Sequence, residues 1–163
     1  SHIDLAKAVW LDCCECKMID TIAREPLWRH LINYRCGTGH SVSFVGNVHE
    51  GPHALNSRNT TRMRPGMVVT DEPGVYETDL VGIRIENELV CIHKADNQYG
   101  TFLGFEPLTF VPIATSPILP GVLDKDELAW LNDYHRQVFA KLAPHLKAEE
   151  RVWLAEKCAS IGC

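Results

Sequence analysis

The sequence predicts an α+β fold in which helices flank an antiparallel sheet. Apolar residues recur at helical spacing near both ends of the chain, whereas three segments with the character of strands lie between them. Helices, strands and helices in this order are typical of α+β proteins. At 163 residues, with 45% hydrophobic and 23% charged residues, the chain suits one folded domain and excludes a complete multidomain enzyme.

Two helices are predicted to open the chain. The first apolar pattern covers residues 3–11, and the second runs from Met18 to Leu31. Pro26 lies inside the second pattern and predicts a break or a new helix start there. From Gly37 onward, glycine, serine, asparagine and histidine dominate, which is typical of loops and short strands that carry function.

An antiparallel meander and two further helices are predicted for the rest of the chain. The strand candidates cover residues 67–76, 81–93 and 102–113. Asp124 or Asp126 is expected to cap a helix that continues to Leu142, and a last helix is expected over residues 148–158. The core-facing stripe of the longer helix comprises Leu128, Leu131, Tyr134, Val138 and Leu142.

Charge and hydropathy exclude two classes of partner. Sixteen basic and 21 acidic residues give a net charge of −5, and no basic run is present, so a nucleic-acid partner is not expected. The sequence contains neither a stretch of about 18 apolar residues nor a signal-peptide pattern, so we predict no membrane association and a cytoplasmic location.

The seven cysteines do not form the pattern of a disulfide framework. Their number is odd, and three of them crowd together at Cys13, Cys14 and Cys16. This spacing is a poor match to a zinc site, which usually needs paired C-x2-C units. We therefore expect exposed or half-buried free thiols here rather than thiol chemistry.

Strand periodicity singles out a group of carboxylates. In GIRIEN, Arg84 and Glu86 face one way and the isoleucines the other, and in VVTDEPG, Thr70 and Glu72 share a face. A hairpin through residues 74–81 would bring Glu72 and Glu86 over the same surface. Because two nearby carboxylates repel unless a proton or a cation lies between them, this arrangement points to a metal site.

Two histidines complete the candidate ligand set. His40 and His49 from the glycine-rich segment add imidazole to the carboxylates, which suits Mn, Fe, Co or Zn. The alternatives are ordinary ones: an acidic residue on an exposed strand is usually solvated, and Arg84 could be a surface ion-pair partner of Glu86. We see no convergent partners for the remaining histidines: His2, His30, His53, His93, His135 and His145.

Six ordered motifs carry a resemblance to a known family. They are GTGH (37–40), NVHEGP (47–52), RPGMVVTDEPGVYE (64–77), GIRIENELV (82–90), FEPLTFVPI (105–113) and WLNDYH (130–135). Together they resemble the C-terminal part of the catalytic domain of Xaa-Pro aminopeptidase (aminopeptidase P), of the creatinase and methionine-aminopeptidase superfamily. The resemblance implies a pita-bread fold, with helices packed on a curved antiparallel sheet. Residues 1–123 would form its C-terminal part and residues 124–163 a helical extension of the same domain.

The resemblance also implies a role for each candidate residue. His40 would bind one metal of a two-metal site, Glu86 would bridge both metals, and Glu72 would bind metal and transfer the proton. His49 would donate a hydrogen bond to the scissile carbonyl, and Arg84 would steady the carboxylates. The implied reaction releases an N-terminal residue from peptides with proline in second position, through a hydroxide that bridges two divalent ions. Manganese is the expected metal, with Zn, Co and Fe as alternatives.

The sequence departs from the family pattern in ways that affect the site. Two further metal-binding aspartates of the family have no counterpart here, since Asp4, Asp12 and Asp20 lie in helical contexts. Cys36 occupies a position that is often histidine in relatives. We therefore expect a piece of a longer enzyme that is weakly active or inactive by itself.

Two functional hypotheses remain at this point. The first is a metal-dependent Xaa-Pro aminopeptidase, supported by the four convergent polar residues. The second is a pita-bread binding or scaffolding module without catalysis, supported by the missing aspartates. A partial fold of this kind would leave apolar surface exposed, so we also expect a homodimer, with the C-terminal helices as contact elements.

Overall fold

The computed structural model describes residues 1–162 and divides into two compact units, Ser1–Thr109 and Phe110–Cys163. The first unit contains α1 (His2–Ala6), β1 (Val9–Leu11), α2 (Cys16–Trp28), β2 (Gly39–His40), β3 (Ala54–Leu55), β4 (Val68–Asp71), β5 (Gly74–Glu77), β6 (Val81–Arg84), β7 (Asn87–Asn97) and β8 (Gly100–Pro107). The second contains α3 (Lys125–Leu142), a 3₁₀ turn (Ala143–His145) and α4 (Ala148–Lys157). The predicted order of helices, sheet and helices is confirmed. The division into residues 1–123 and 124–163 stays a prediction.

The main sheet of the first unit has four antiparallel strands in the order β1-β8-β7-β4. Strands β4, β7 and β8 form the predicted meander. Alternate residues along these strands point into the core, where Val69, Leu89, Cys91 and Leu103 are buried. Helices α1 and α2 contribute further fully buried side chains to the same unit: Leu5, Ile19 and Ala23.

The helix predicted over residues 3–11 is only partly correct. Helix α1 ends at Ala6, and the segment from Val9 to Leu11 forms an edge strand paired with β8. The Trp10 ring packs on Phe105, with 4.6 Å between the ring centroids. Burial of this tryptophan against the sheet therefore overrides the weak helical spacing of the segment.

The break predicted at Pro26 is also wrong. Helix α2 passes through Pro26 and ends at Trp28, so the proline removes only a hydrogen bond of the last turn. The predicted continuation to Leu31 does not occur, because Leu31 has a positive φ of 58° and its side chain is exposed.

Two of the predicted strands are each split in two. The first candidate divides into β4 and β5 around Glu72 and Pro73, and the second divides into β6 and β7 around Ile85 and Glu86. As a result, β5 and β6 leave the main sheet and pair with each other as a separate two-stranded ladder. The third candidate forms β8, which begins at Gly100 and ends at Pro107.

The second unit is built from helices, as predicted. Asp124 caps α3, because its carboxylate accepts the Glu127 amide at 2.8 Å and the Glu127 side chain accepts the Asp124 amide at 2.7 Å. Leu131, Tyr134 and Val138 from the predicted stripe are buried. None of the helices between Ser1 and Gly162 combines the length and the hydropathy that a membrane crossing requires.

The six cysteines within residues 1–162 are free thiols. Cys13 is exposed and Cys14 half-buried, as expected, but Cys16 is buried at the start of α2. Burial raises the pKa of the Cys14 and Cys16 thiols, so both stay protonated and poorly nucleophilic at neutral pH.

His135 makes the second unit sensitive to acid. Its Nε2 accepts the Ile113 amide at 3.1 Å inside the core, and burial lowers the pKa of the imidazole. Protonation would remove this acceptor and place a charge in the core. Because the unfolded chain binds the proton more readily, stability is highest above the unfolded pKa of about 6.5 and falls as pH drops through it.

We therefore expect the urea midpoint of the second unit, followed separately from that of the first unit, to fall as the pH is lowered from 7.5 to 5. In His135→Gln, which keeps an acceptor but cannot gain a charge, this fall should be smaller. Parallel pH profiles of the two proteins would show that His135 is not the sensitive group.

Candidate active site

A cavity of about 430 Å³ in the first unit contains most of the predicted site residues. Strands β2, β3 and β5, the residues that follow β4 and the end of β6 surround it. Its lining comprises Cys36, Gly37, Gly39, His40, His49, Ala54, Asn56, Glu72, Tyr76 and Arg84. Four of the five predicted residues, His40, His49, Glu72 and Arg84, are therefore brought together.

Thr70 holds His40 and Glu72 in fixed relation to each other. The hydroxyl of Thr70 accepts the backbone amide of His40 at 2.9 Å and donates to Glu72 Oε1 at 2.9 Å. The predicted common face of Thr70 and Glu72 is thus confirmed. Because Thr70 is buried in β4, both bonds are anchored to the main sheet.

The ring of His40 contacts a backbone carbonyl with one nitrogen and Glu72 with the other. Its Nδ1 lies 3.0 Å from the carbonyl oxygen of Ser41, so Nδ1 carries the proton that it donates there. In the neutral ring, Nε2 then has a free lone pair, and it lies 3.1 Å from Glu72 Oε1. Two acceptors at this distance require a proton or a cation between them.

His49 returns to the site through the loop that follows His40. The rings of His40 and His49 have centroids 4.0 Å apart at an angle of 57°. The loop between them is closed by hydrogen bonds from Ser43 to Asn47 and from Glu50 to Ser41, and the buried Ser41 hydroxyl donates to the Glu50 carbonyl. The side chain of Ser41 therefore helps to close this loop.

Glu86 faces Arg84 rather than the histidines. Its carboxylate lies 3.1 Å from Arg84 Nε, and Arg84 Nη1 donates to the Tyr76 hydroxyl at 3.2 Å. Asp71 pairs with Asn87 and Gly74 pairs with Arg84, so the two ladders share the same register. This register places Glu72 opposite Glu86, at the point where the two ladders separate. Glu86 therefore stands beside the cavity without lining it.

The donor set fits one side of a metal centre. His40 and Glu72 supply a nitrogen and a carboxylate of the kind that Mn, Fe, Co and Zn accept. Within residues 1–162, however, no three side chains of histidine, cysteine, aspartate or glutamate lie close enough together to hold a metal ion. The roles of His40, Glu72 and Glu86 as ligands, and of His49, Glu72 and Arg84 in catalysis, stay predictions.

The sequence did not predict the buried contact between Asp71 and His2 behind the site. Asp71, next to Glu72, is fully buried, and its Oδ1 lies 3.3 Å from His2 Nδ1. Burial raises the pKa of Asp71 to about 6, an effect that His2 partly offsets. Strand alternation predicts that Asp71 points away from Glu72, and this was the only sign in the sequence that Asp71 would lie outside the site. Nothing in the sequence indicates that His2 is its partner.

Two family models match the chain. Residues 1–93 match the model of metallopeptidase family M24, and residues 101–161 match the model of the C-terminal region of peptidase M24.

Relatives with assigned names are similar over almost the whole chain. Aminopeptidase P2 of Arabidopsis thaliana is 42% identical over 160 residues, which is 94% of this chain and 22% of the relative. Aminopeptidase P1 of Lotus japonicus is 40% identical over 167 residues, which is 99% of this chain and 25% of the relative. The chain thus spans about a quarter of the length of these relatives.

Two solved structures are similar to the fold of this chain. X-prolyl aminopeptidase from Caenorhabditis elegans, described as a cytosolic enzyme with a di-nuclear active site, superimposes with a TM-score of 0.91 at 39% identity. That match covers 98% of this chain and 27% of the nematode protein. Prolidase from Pyrococcus furiosus matches 65% of this chain and 28% of its own, with a TM-score of 0.53 at 28% identity.

Gly39 should be indispensable to the site. A Cβ at this position would lie 1.7 Å from the carbonyl oxygen of Thr70, so β2 would have to move away from β4. We expect Gly39→Ala to lower the free energy of unfolding by roughly 1–3 kcal/mol, as for an overpacked core. It should also change the NMR signals of the His40 ring.

Gly37→Ala is the matched control, because a Cβ there would meet nothing closer than 3.4 Å. Equal effects of the two substitutions would contradict the close approach of β2 to β4.

Proposed function

The chain belongs to metallopeptidase family M24 and has the pita-bread fold, and on that premise we propose that it is the C-terminal part of the catalytic domain of an Xaa-Pro aminopeptidase. Such an enzyme hydrolyses the amide bond that joins an N-terminal residue to proline. The observation that carries this proposal is the approach of His40 Nε2 to Glu72 at 3.1 Å inside a cavity that also contains His49. This geometry needs a proton or a cation between the two groups, and we propose a metal cation.

We propose that two divalent ions, preferably Mn, with Zn, Co and Fe as alternatives, bind in the intact enzyme. His40 Nε2 and the carboxylates of Glu72 and Glu86 would hold them. Bound there, the ions would activate a water molecule and polarise the scissile carbonyl. A dinuclear centre needs more donors than these three, and we propose that the additional carboxylates come from outside the chain described here.

The side chains of the cavity would each have one task. His49 would donate a hydrogen bond to the carbonyl oxygen of the scissile bond, where negative charge develops. Glu72 would carry the proton to the leaving nitrogen, since its Oε1 is already held by Thr70. Arg84 would keep the Glu86 carboxylate oriented from 3.1 Å away.

Proline in second position constrains the substrate side of the cavity. The scissile nitrogen belongs to a tertiary amide and carries no hydrogen, so a peptidase that recognises an N–H at this position would reject it. The proposed site instead contacts the carbonyl oxygen and the leaving nitrogen, which a prolyl bond retains.

The second candidate function is a pita-bread binding or scaffolding module. It is favoured by the absence, within residues 1–162, of a third donor grouped with His40 and Glu72. Under this hypothesis the cavity would bind a peptide without cleaving it.

We further propose a cytoplasmic homodimer that acts on peptides and binds neither nucleic acid nor membranes. The nematode relative is described as cytosolic. Helix α4 exposes Val152 and Trp153, with 61% and 54% of their surfaces accessible, which supports association through the C-terminal helices.

The isolated chain should bind metal weakly through the proposed ligands. In a cobalt titration followed by visible absorption, His40→Ala and Glu72→Gln should each weaken binding by about tenfold. His145→Ala is the control, because this exposed histidine lies in the second unit. Two tightly bound ions per chain after dialysis would contradict the proposal that ligands are missing.

The isolated chain should not cleave an Arg-Pro-Pro peptide in the presence of manganese. Fusion to the part of Aminopeptidase P1 of Lotus japonicus that precedes the matched region should restore cleavage. In that fusion, Glu72→Gln should lower kcat by about 10²–10⁴-fold, because the proton carrier is lost.

A fusion that folds, binds two ions and still leaves the peptide intact would favour the binding module. Cleavage by the isolated chain that is abolished in Glu86→Gln would mean that the chain contains the two ligands we consider absent.

A further inference from the structure

We infer that Arg24, together with Asp20, is a positioning residue for the metal site. It fixes the segment of residues 33–38, which leads into β2, and thereby sets the position of His40 relative to Glu72. This inference rests on the proposed function, since it assigns to a buried ion pair on α2 the task of placing two proposed ligands.

Arg24 ties helix α2 to three acceptors in that segment. Its Nη1 donates to the carbonyl of Tyr34 at 2.9 Å and to the side-chain oxygen of Asn33 at 3.2 Å, and its Nη2 donates to the carbonyl of Cys36 at 2.9 Å. The guanidinium also lies over the Tyr34 ring, 4.1 Å from its centroid. The guanidinium therefore holds the segment at three of its residues, Asn33, Tyr34 and Cys36.

Asp20 supplies the opposite charge and a second connection. One carboxylate oxygen accepts Arg24 Nε at 2.8 Å, and the other accepts the hydroxyl of Thr38. The Tyr34 hydroxyl lies 2.5 Å from the same Thr38 oxygen. Burial raises the pKa of Tyr34 to about 12, so the phenol stays neutral and keeps its proton for this contact.

Thr38 transmits this arrangement to both halves of the site. Its amide donates to the Leu55 carbonyl of β3 at 2.8 Å, and its carbonyl accepts the Glu72 amide at 2.7 Å. His40 follows two residues later. A displacement of Thr38 would therefore move the backbone of Glu72 and of His40 together.

The chemistry of the pair is better suited to orientation than to stability. Asp20 and Arg24 are only 1% and 7% exposed, and an ion pair buried to this extent is often no more stabilising than apolar side chains of similar volume. A planar guanidinium, in contrast, presents donors in a fixed fork, so it can hold several acceptors at defined angles. Lysine offers the charge without the fork.

The test compares Arg24→Lys with Ile19→Val in the full 163-residue chain. Ile19 is fully buried on the same helix, so its truncation weakens packing but leaves the hydrogen bonds of Arg24 in place. We expect Arg24→Lys to speed hydrogen exchange of the Thr38 and Glu72 amides by about tenfold relative to Ile19→Val, since their local protection depends on the pair. Cobalt binding should weaken by about tenfold in Arg24→Lys and stay within about twofold of wild type in Ile19→Val.

Equal exchange of these two amides in both variants would overturn the inference. If the wild-type chain binds no cobalt, or if His40→Ala leaves binding unchanged, the proposed function fails, but the exchange data still decide the positioning role. Should Arg24→Lys not fold, Asp20→Asn keeps the shape of the Asp20 side chain but removes the charge that pairs with Arg24. Faster exchange of the Thr38 amide in Asp20→Asn would then support the inference, and unchanged exchange would refute it.

Discussion

The site depends on the point at which two antiparallel ladders separate. Strands β4 and β7 pair up to Asp71 and Asn87, and β5 and β6 resume the pairing at Gly74 and Arg84. The unpaired residues between the ladders include Glu72 and Glu86, whose carboxylates are free of the constraint that a continuous pleat would impose. Because the register is the same on both sides of the gap, Glu72 and Glu86 stay opposite each other although neither is paired in a ladder.

The polar side chains around this gap already make hydrogen bonds or ion pairs with one another. Thr70 bonds His40 and Glu72, Arg84 contacts Glu86 and Tyr76, and the buried pair on α2 secures the residues before β2. Each such bond fixes a side chain or a strand before any ligand arrives. A cavity preorganised in this way would not have to order these groups again to bind a ligand.

The sequence predicts the part of this arrangement that periodicity controls. Alternation along β4 and β6 places Thr70 with Glu72 and Arg84 with Glu86, and both pairs are in contact. Long-range pairing is what periodicity cannot predict. The segment at Trp10 forms a strand because β8 pairs with it. Asp20 accepts a hydrogen bond from Thr38, and Asp71 contacts His2, so both carboxylates have partners that are distant in the sequence. Sequence motifs indicated the candidate site, whereas the side chains that support it could be identified only from the coordinates.

The hydrogen bond from His40 Nδ1 to the carbonyl of the next residue has a consequence for how the site is encoded. Most imidazoles that bind metals rely on a distant carboxylate or carbonyl to select their tautomer, so the selection is complete only after the tertiary fold has formed. Here the selecting group is one peptide unit away. The tautomer of His40 is therefore set within the local chain, by the residue that follows it. Substitutions elsewhere in the core can change the position of the ring, but they leave the same ring nitrogen available to a ligand.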